Sequence, residues 1–167
     1  MRIGIVSDSH GKAKRLAAAL KALADRQVEA VVHCGDIGSI QCVELLAATG
    51  VPAYLVPGNM DRHVERLEAA AESGGVHFAW EVVTVPIGQG RQLAVTHGND
   101  EGVLQELIRE QQFPYICRGH THSASNERIG NVRVINPGAL HHAQRPHTPT
   151  VAVLDTQADT VEHFKVK

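Results

Sequence analysis

Short apolar runs alternate with amphipathic stretches through the first half of the chain. Arg2–Ser7 is apolar enough for a buried strand, and Lys12–Gln27 repeats apolar residues at helical spacing, with Leu16, Leu20, Leu23 and Ala24 on one face. Ala30–Cys34 predicts a second strand. Ser39 is a fitting N-cap for a helix over Ile40–Ala48, which Gly50 and the Val51-Pro52 pair would stop. Ala53–Val56 predicts a third strand ending at Pro57-Gly58, and a helix from about His63 to Ala71 precedes Gly74-Gly75. Strands alternating with helices in this order predict a mainly parallel sheet with short crossovers.

The second half changes period. Val76–Phe78, Glu81–Ile87 and Arg91–Thr96 are strand-like, the last two joined by a Gly88-Gln89-Gly90 turn. One helix is predicted over Glu101–Gln111, with Val103, Leu104, Leu107 and Ile108 as its buried stripe. Tyr115–Arg118, Ala124–Ile129, Val132–Ile135, Thr150–Leu154 and Thr160–Val166 follow as strands, and Ile129-Gly130-Asn131-Val132 reads as a tight hairpin. This half reads as antiparallel. The expected fold is therefore α/β (α+β), two sheets face to face with helices outside. No repeat, low-complexity tract or linker interrupts the chain, so residues 1–167 are expected to form one domain.

Composition narrows the function. With 16 basic against 18 acidic residues there is no large field to attract nucleic acid or an anionic membrane, and stable binding to either is not expected. The apolar runs are far shorter than the roughly 20 residues of a bilayer span. Met1-Arg2 leads directly into a strand with no cleavage signature, which gives a cytoplasmic expectation. Cys34, Cys42 and Cys117 are odd in number and lack C-x-x-C spacing, so they read as buried free thiols. Oligomeric state is not encoded in any of these patterns.

The chemistry lies at the ends of the strands. Asp8-Ser9-His10 ends the first strand, and residues at i and i+2 of an extended chain point the same way. Cys34-Gly35-Asp36, Gly58-Asn59-Met60-Asp61, Thr96-His97-Gly98 and Gly119-His120-Thr121-His122 each follow a short apolar or β-prone run. Asp8, His10, Asp36, Asn59, His97, His120 and His122 are thus candidate ligands. Seven oxygen and nitrogen donors are too many for one tetrahedral zinc, and suit two five- or six-coordinate ions sharing a bridge. Asp36 is the natural bridge, being the one carboxylate in this set besides Asp8. Two negative charges against four positive leave a surplus that would attract an anionic substrate such as a phosphate ester. A donor set without thiolate suits manganese, iron or zinc. Gly35, Gly58, Gly98 and Gly119 lie beside these ligands, where the chain must turn and let other backbone approach.

The ordered series D-S-H, G-D, G-N-x-D, T-H-G and G-H-T-H resembles the calcineurin-like metallophosphoesterases, in particular their small single-domain bacterial and archaeal phosphodiesterase branch. The resemblance runs from Arg2 to about Leu154 and includes Asn136-Pro137-Gly138, which matches that branch's loop after the last histidine pair. It implies a four-layer β-sandwich of two mixed sheets flanked by helices. It implies that Asp8, His10, Asp36 and His122 hold one divalent ion, and that Asp36, Asn59, His97 and His120 hold another. Manganese is the expected metal, with iron, zinc or nickel as alternatives. The implied activity is hydrolysis of a small phosphodiester or nucleotide-like substrate by attack of metal-bound hydroxide, with Asp36 and Asn59 at the reacting centre. Two other readings on this fold are a protein-binding scaffold without catalysis and a phosphomonoesterase or nucleotide pyrophosphatase.

One position departs from the pattern of larger relatives, which carry His directly after the Asn. Here it is Met60, whose thioether cannot donate a proton. His63 could supply a replacement donor, or simply begin a solvated helix. Asp61 is expected to orient the Asn59 loop rather than bind metal. Asn136, Gly138 and Arg145 are further candidates around the site, Arg145 being either a substrate contact or a solvated loop residue. His33, in a core-like strand, is expected to be buried and hydrogen-bonded; His77 and His163 read as surface or strand residues.

Overall fold

The computed structural model describes residues 1–141 and 148–166. The chain runs β1 (Arg2–Val6), α1 (Ala13–Ala24), β2 (Ala30–His33), α2 (Ile40–Ala47), β3 (Ala53–Leu55), α3 (Val64–Gly74) and β4 (His77–Phe78). It continues with β5 (Val82–Gly88), β6 (Arg91–Thr96), α4 (Glu101–Glu110), β7 (Tyr115–Cys117), β8 (Ser125–Ile129), β9 (Val132–Asn136), β10 (Thr150–Asp155) and β11 (Thr160–Lys165). The predicted elements are all present. Their ends move by one to three residues, as expected where caps and turns rather than the apolar pattern decide them.

Two mixed sheets pack face to face. One has the order β11-β10-β1-β2-β3-β4, the other β5-β6-β7-β9-β8. Strands β1 to β4 are parallel, as the alternating first half predicted. The second half corrects the expectation of an antiparallel sheet in two ways. The α4 crossover makes β6 parallel to β7, and β9 lies parallel to β7 while β8 takes the outer edge. Strands β10 and β11 leave that half altogether and pair antiparallel onto β1 in the first sheet. Alternation alone marks a strand but not which neighbour it joins.

The period-two alternation sorts side chains into layers. Ile3 and Ile5 of β1, Ala30 and Val32 of β2, and Tyr115 and Cys117 of β7 fill the space between the sheets. Val6 and Val31 face the other way, against Leu16, Leu23, Val43, Leu46 and Leu67 of α1–α3. On the far side, Ala94 and Ile116 meet Leu104, Leu107 and Ile108 of α4. The result is helix, sheet, sheet, helix. All three cysteines are buried free thiols, as their context implied. Burial drives Cys117 up to about 12 and Cys34 well above its ordinary value, so neither is a nucleophile. No helix among the described residues is long and apolar enough to cross a membrane.

His33 sits at the end of β2, fully buried. Its Nε2 lies 2.9 Å from the Ser9 hydroxyl, which itself donates to the Ile37 carbonyl at 3.0 Å, so in the neutral ring Nε2 carries the proton. Burial, with the nearby His97 and His10 adding to it, lowers its pKa from 6.5 to about 3. The unfolded chain therefore takes up a proton that the folded one refuses, and stability drains away as pH falls below 6.5. Urea unfolding of wild type and H33Q should show the difference: between pH 6.5 and 4.5 wild type loses roughly 2–3 kcal/mol more than the variant. Parallel pH profiles would contradict a buried neutral His33. In the helical layer, Leu23→Ala should cost about 2–5 kcal/mol by the same measurement, since Leu23 is fully buried and packs on Gly4.

Candidate metal centre

The loops after β1 and β2 are zipped together by backbone hydrogen bonds. Asp8 N donates to Gly35 O (3.0 Å), His10 N to Asp36 O (2.8 Å) and Gly11 N to Ile37 O (2.8 Å). Asp8, His10 and Asp36 consequently adopt φ of 54°, 45° and 53°, and His120 and His122 adopt 66° and 57°. Five of the seven candidate ligands are thus in the left-handed region, a conformation uncommon for residues with a Cβ and one that must be held by its surroundings. Gly58 and Gly119 make the crowding possible. A Cβ at Gly58 would strike Asp36 Oδ1, and one at Gly119 would strike the Ser7 hydroxyl and lie 2.7 Å from Asp8 Oδ2.

All seven candidates converge. Nε2 of His10 is 3.9 Å from Asp8 Oδ1 and 3.8 Å from Asp36 Oδ2, and Nε2 of His122 is 3.0 Å from Asp8 Oδ1. One ligand atom from each of Asp8, His10, Asp36 and His122 fits within a 4.8 Å group that could hold a metal ion. On the other side of Asp36, the same Oδ2 lies 3.5 Å from His97 Nε2. Asn59 Oδ1 is 3.0 Å from that Nε2 and 3.1 Å from His120 Nδ1. Asp36 therefore stands between two clusters.

The site asks for cations. Asp8 and Asp36 are buried, at 0% and 2% exposure, and no Lys or Arg among the described residues pairs with either. Asp8 Oδ2 accepts from the Ser7 hydroxyl (2.5 Å) and His120 N (3.2 Å), whereas its Oδ1 is buried without a hydrogen bond. His97 Nδ1 lies 2.7 Å from the Cys34 carbonyl, so the neutral ring donates there and turns a bare Nε2 toward the oxygens of Asp36 and Asn59. Two buried carboxylates and converging lone pairs are costly unless positive charge lies among them. The donor chemistry fits divalent cations. His120 has its pKa lowered, by burial first and then by His97, which favours the neutral, ligating form.

The supporting residues divide. Asp61 accepts three backbone N–H groups, from Ile37 (3.1 Å) and Gly58 (2.9 Å) at Oδ2 and from Gly38 (2.7 Å) at Oδ1. It ties the Asp36 loop to the Asn59 loop, although burial raises its pKa against those bonds. Buried Asn136 donates from Nδ2 to the Gly119 carbonyl (2.8 Å) and Thr121 hydroxyl (2.9 Å) and accepts from Gly138 N (2.9 Å). The Asn-Pro-Gly loop thereby braces the paired histidines. His163 approaches the Asn136 carbonyl at 2.8 Å, and exposed His77 stacks on Tyr54. His63 is exposed at the start of α3, and no hydrogen bond or ion pair joins its side chain to the cluster. Arg145 lies outside the described residues.

Other neighbours carried no motif in the sequence. His141 places its ring edge-on to His10, centroids 5.9 Å apart, and Arg15 Nη1 holds it through Nδ1 (3.3 Å) and the Leu140 carbonyl (3.0 Å). Leu140 N and His141 N donate to Ser7 O and Asp8 O, so this segment flanks the end of β1. The Ser7 and Ser9 hydroxyls, between the motif residues, are buried partners of Asp8 and His33.

Asp61 offers a clean test of loop support. D61A should weaken manganese binding by about 10- to 100-fold in isothermal titration, the usual effect of removing a group that orients ligands. Unchanged affinity would leave Asp61 as a turn residue only.

Comparison with known proteins agrees with this geometry. The chain is 29% identical over 158 residues to the phosphodiesterase MJ0936 of Methanocaldococcus jannaschii, covering 94% of each. It is 27% identical over 172 residues to the probable metallophosphoesterase YsnB of Bacillus subtilis, covering 98% of this chain and 90% of that one. The solved structure of an archaeal phosphodiesterase superposes with a TM-score of 0.88 at 27% identity, over 99% of this chain and 100% of that one. The profile of the calcineurin-like phosphoesterase superfamily domain matches residues 1–159, and with the fold and the converging motifs this places the chain in that superfamily.

Proposed function

We propose that this phosphoesterase is a phosphodiesterase working with two divalent cations, manganese being the best match, and that residues 1–167 act as one domain. The observation that carries the reading is the position of Asp36 Oδ2, 3.8 Å from His10 Nε2 and 3.5 Å from His97 Nε2. Asp8, His10, Asp36 and His122 would hold one cation, and Asp36, Asn59, His97 and His120 the other. When bound, such cations lower the pKa of water toward neutrality and offset charge on phosphoryl oxygens.

The chain's own residues do the rest. The Ser7 hydroxyl and His120 N hold Asp8 through Oδ2, leaving Oδ1 beside His122 and His10. Met60 N donates to Asp36 Oδ1 at 2.8 Å, which leaves Oδ2 for the space between the clusters. Asn59, exposed at the rim between His97 and His120, is placed to meet an incoming phosphate. The Met60 side chain is 58% exposed beside it and offers no proton to a departing oxygen. With no donor at this position, leaving groups already stable as their anions are favoured, namely acidic alcohols and phenols.

Wild-type protein should hydrolyse bis-p-nitrophenyl phosphate with added manganese and lose that turnover with excess chelator. Dialkyl phosphodiesters and alkyl monoesters should be slower by about 100-fold or more, the usual worth of general-acid help. Equal rates on alkyl and nitrophenyl esters would overturn the leaving-group argument. No turnover by fully metal-loaded protein would favour the protein-binding scaffold. H63A should hydrolyse the nitrophenyl diester at the wild-type rate; a large loss would make His63 the proton donor.

A further inference from the structure

We propose that Arg118 forms an anion subsite beside the metal centre and selects phosphodiesters whose alcohol carries a second phosphate group. This rests on the phosphodiesterase reading above and names its substrate class.

Arg118 directly follows β7, and its backbone N donates to the Ile135 carbonyl at 2.9 Å. Cys117 points between the sheets, so strand alternation sends Arg118 to the opposite side, where Ile116 also points. There the side chain packs against Gly98, the residue after His97. Its Nε is 3.1 Å and its Cζ 3.5 Å from the place a Cβ at Gly98 would occupy, so the absence of a side chain there makes the approach possible. Two residues on is His120, which the structure brings to Asn59. A fixed positive charge thus stands at the His97–His120 side of the site.

That charge has no partner among the described residues. Arg2, Arg26, Arg109, Arg128 and Arg133 each meet a carboxylate; Arg118, like the exposed Arg62, Arg66 and Arg91, pairs with none, but unlike them it is half-buried, and its buried Nε makes no hydrogen bond. A guanidinium carries five donors and is always charged. Nε is closed off by its burial, but the two Nη groups are not among the buried atoms and meet no acceptor among the described residues, so they are open to an anion. Its planar fork matches phosphate oxygens. Arg118 packs on Gly98, next to His97, and makes no hydrogen bond or ion pair with any candidate ligand. The phosphoryl under attack would be held by the cations and Asn59, so the anion assigned to Arg118 is a second group of the substrate.

The test compares two esters with one leaving group: p-nitrophenyl thymidine 5′-phosphate and the same compound carrying a 3′-phosphate. In manganese, wild type should favour the 3′-phosphorylated ester by about 10-fold or more in kcat/KM, the effect of one charge-assisted hydrogen bond. R118Q should bring that ratio near one, and R118K, which keeps the charge without the fork, should retain part of it. Calorimetric titration with thymidine 5′-monophosphate and thymidine 3′,5′-bisphosphate reads the same preference without turnover. If neither ester is hydrolysed while the bisphosphate preference depends on Arg118, the catalytic reading fails and the subsite stands. A ratio near one in wild type overturns the proposal. So does an unchanged ratio in R118Q, including equal loss on both esters, which would make Arg118 a modulator of His120 only.

Discussion

Two carboxylates that no fixed cation among the described residues balances are the constraint on which this structure turns. Asp8 and Asp36 are buried at adjacent strand ends, and an uncompensated pair in that position opposes folding. The fold tolerates them because the loops after β1 and β2 are zipped backbone to backbone, and because four imidazoles and an amide face them. The left-handed backbone at five candidate ligands belongs to the same arrangement. Strain of this kind persists only where neighbouring structure over-determines it. Here the neighbours are the hydrogen bonds of Asp61 to three loop amides and those of Asn136 across the paired histidines.

The sandwich serves this end of the molecule. Parallel strands β1, β2 and β3 in one sheet, with β6 and β7 in the other, all deliver their C-terminal ends to the same side. Each contributes a loop with one or two candidate ligands. Ligands from both sheets must meet, so the packing of Ile3, Ile5, Val32, Val95 and Cys117 between the sheets sets the distance across the site as much as the loops do. A β-sandwich whose sheets slid past each other would separate Asp36 from His97.

Much of this was legible in the sequence, for identifiable reasons. The strand and helix periods were clean from Arg2 to Phe78, and the five motifs end apolar runs, so the candidate ligands and the parallel first sheet could be read directly. The pairing of β10 with β1 could not, because alternation at Thr150–Asp155 carries no record of its partner. The parallel course of β6, β7 and β9 was hidden for the same reason, although the helix between β6 and β7 was a usable clue. Around the site, residues with motif spacing were found and those that act through the fold were not. Arg15 and His141 meet across a separation of 126 positions, and Arg118 acquires its setting only when β7 lies beside Gly98. Met60 was visible at once as a side chain without a proton to donate, since that depends on chemistry rather than packing.

The central claim is that one shared carboxylate joins two cation sites. Crystals grown with manganese and measured at its absorption edge test this most directly. The account predicts two anomalous peaks per chain, one among Asp8, His10, Asp36 and His122 and one among Asp36, Asn59, His97 and His120, with Asp36 reaching both. A single peak, or peaks away from Asp36 in protein saturated with manganese, would contradict it.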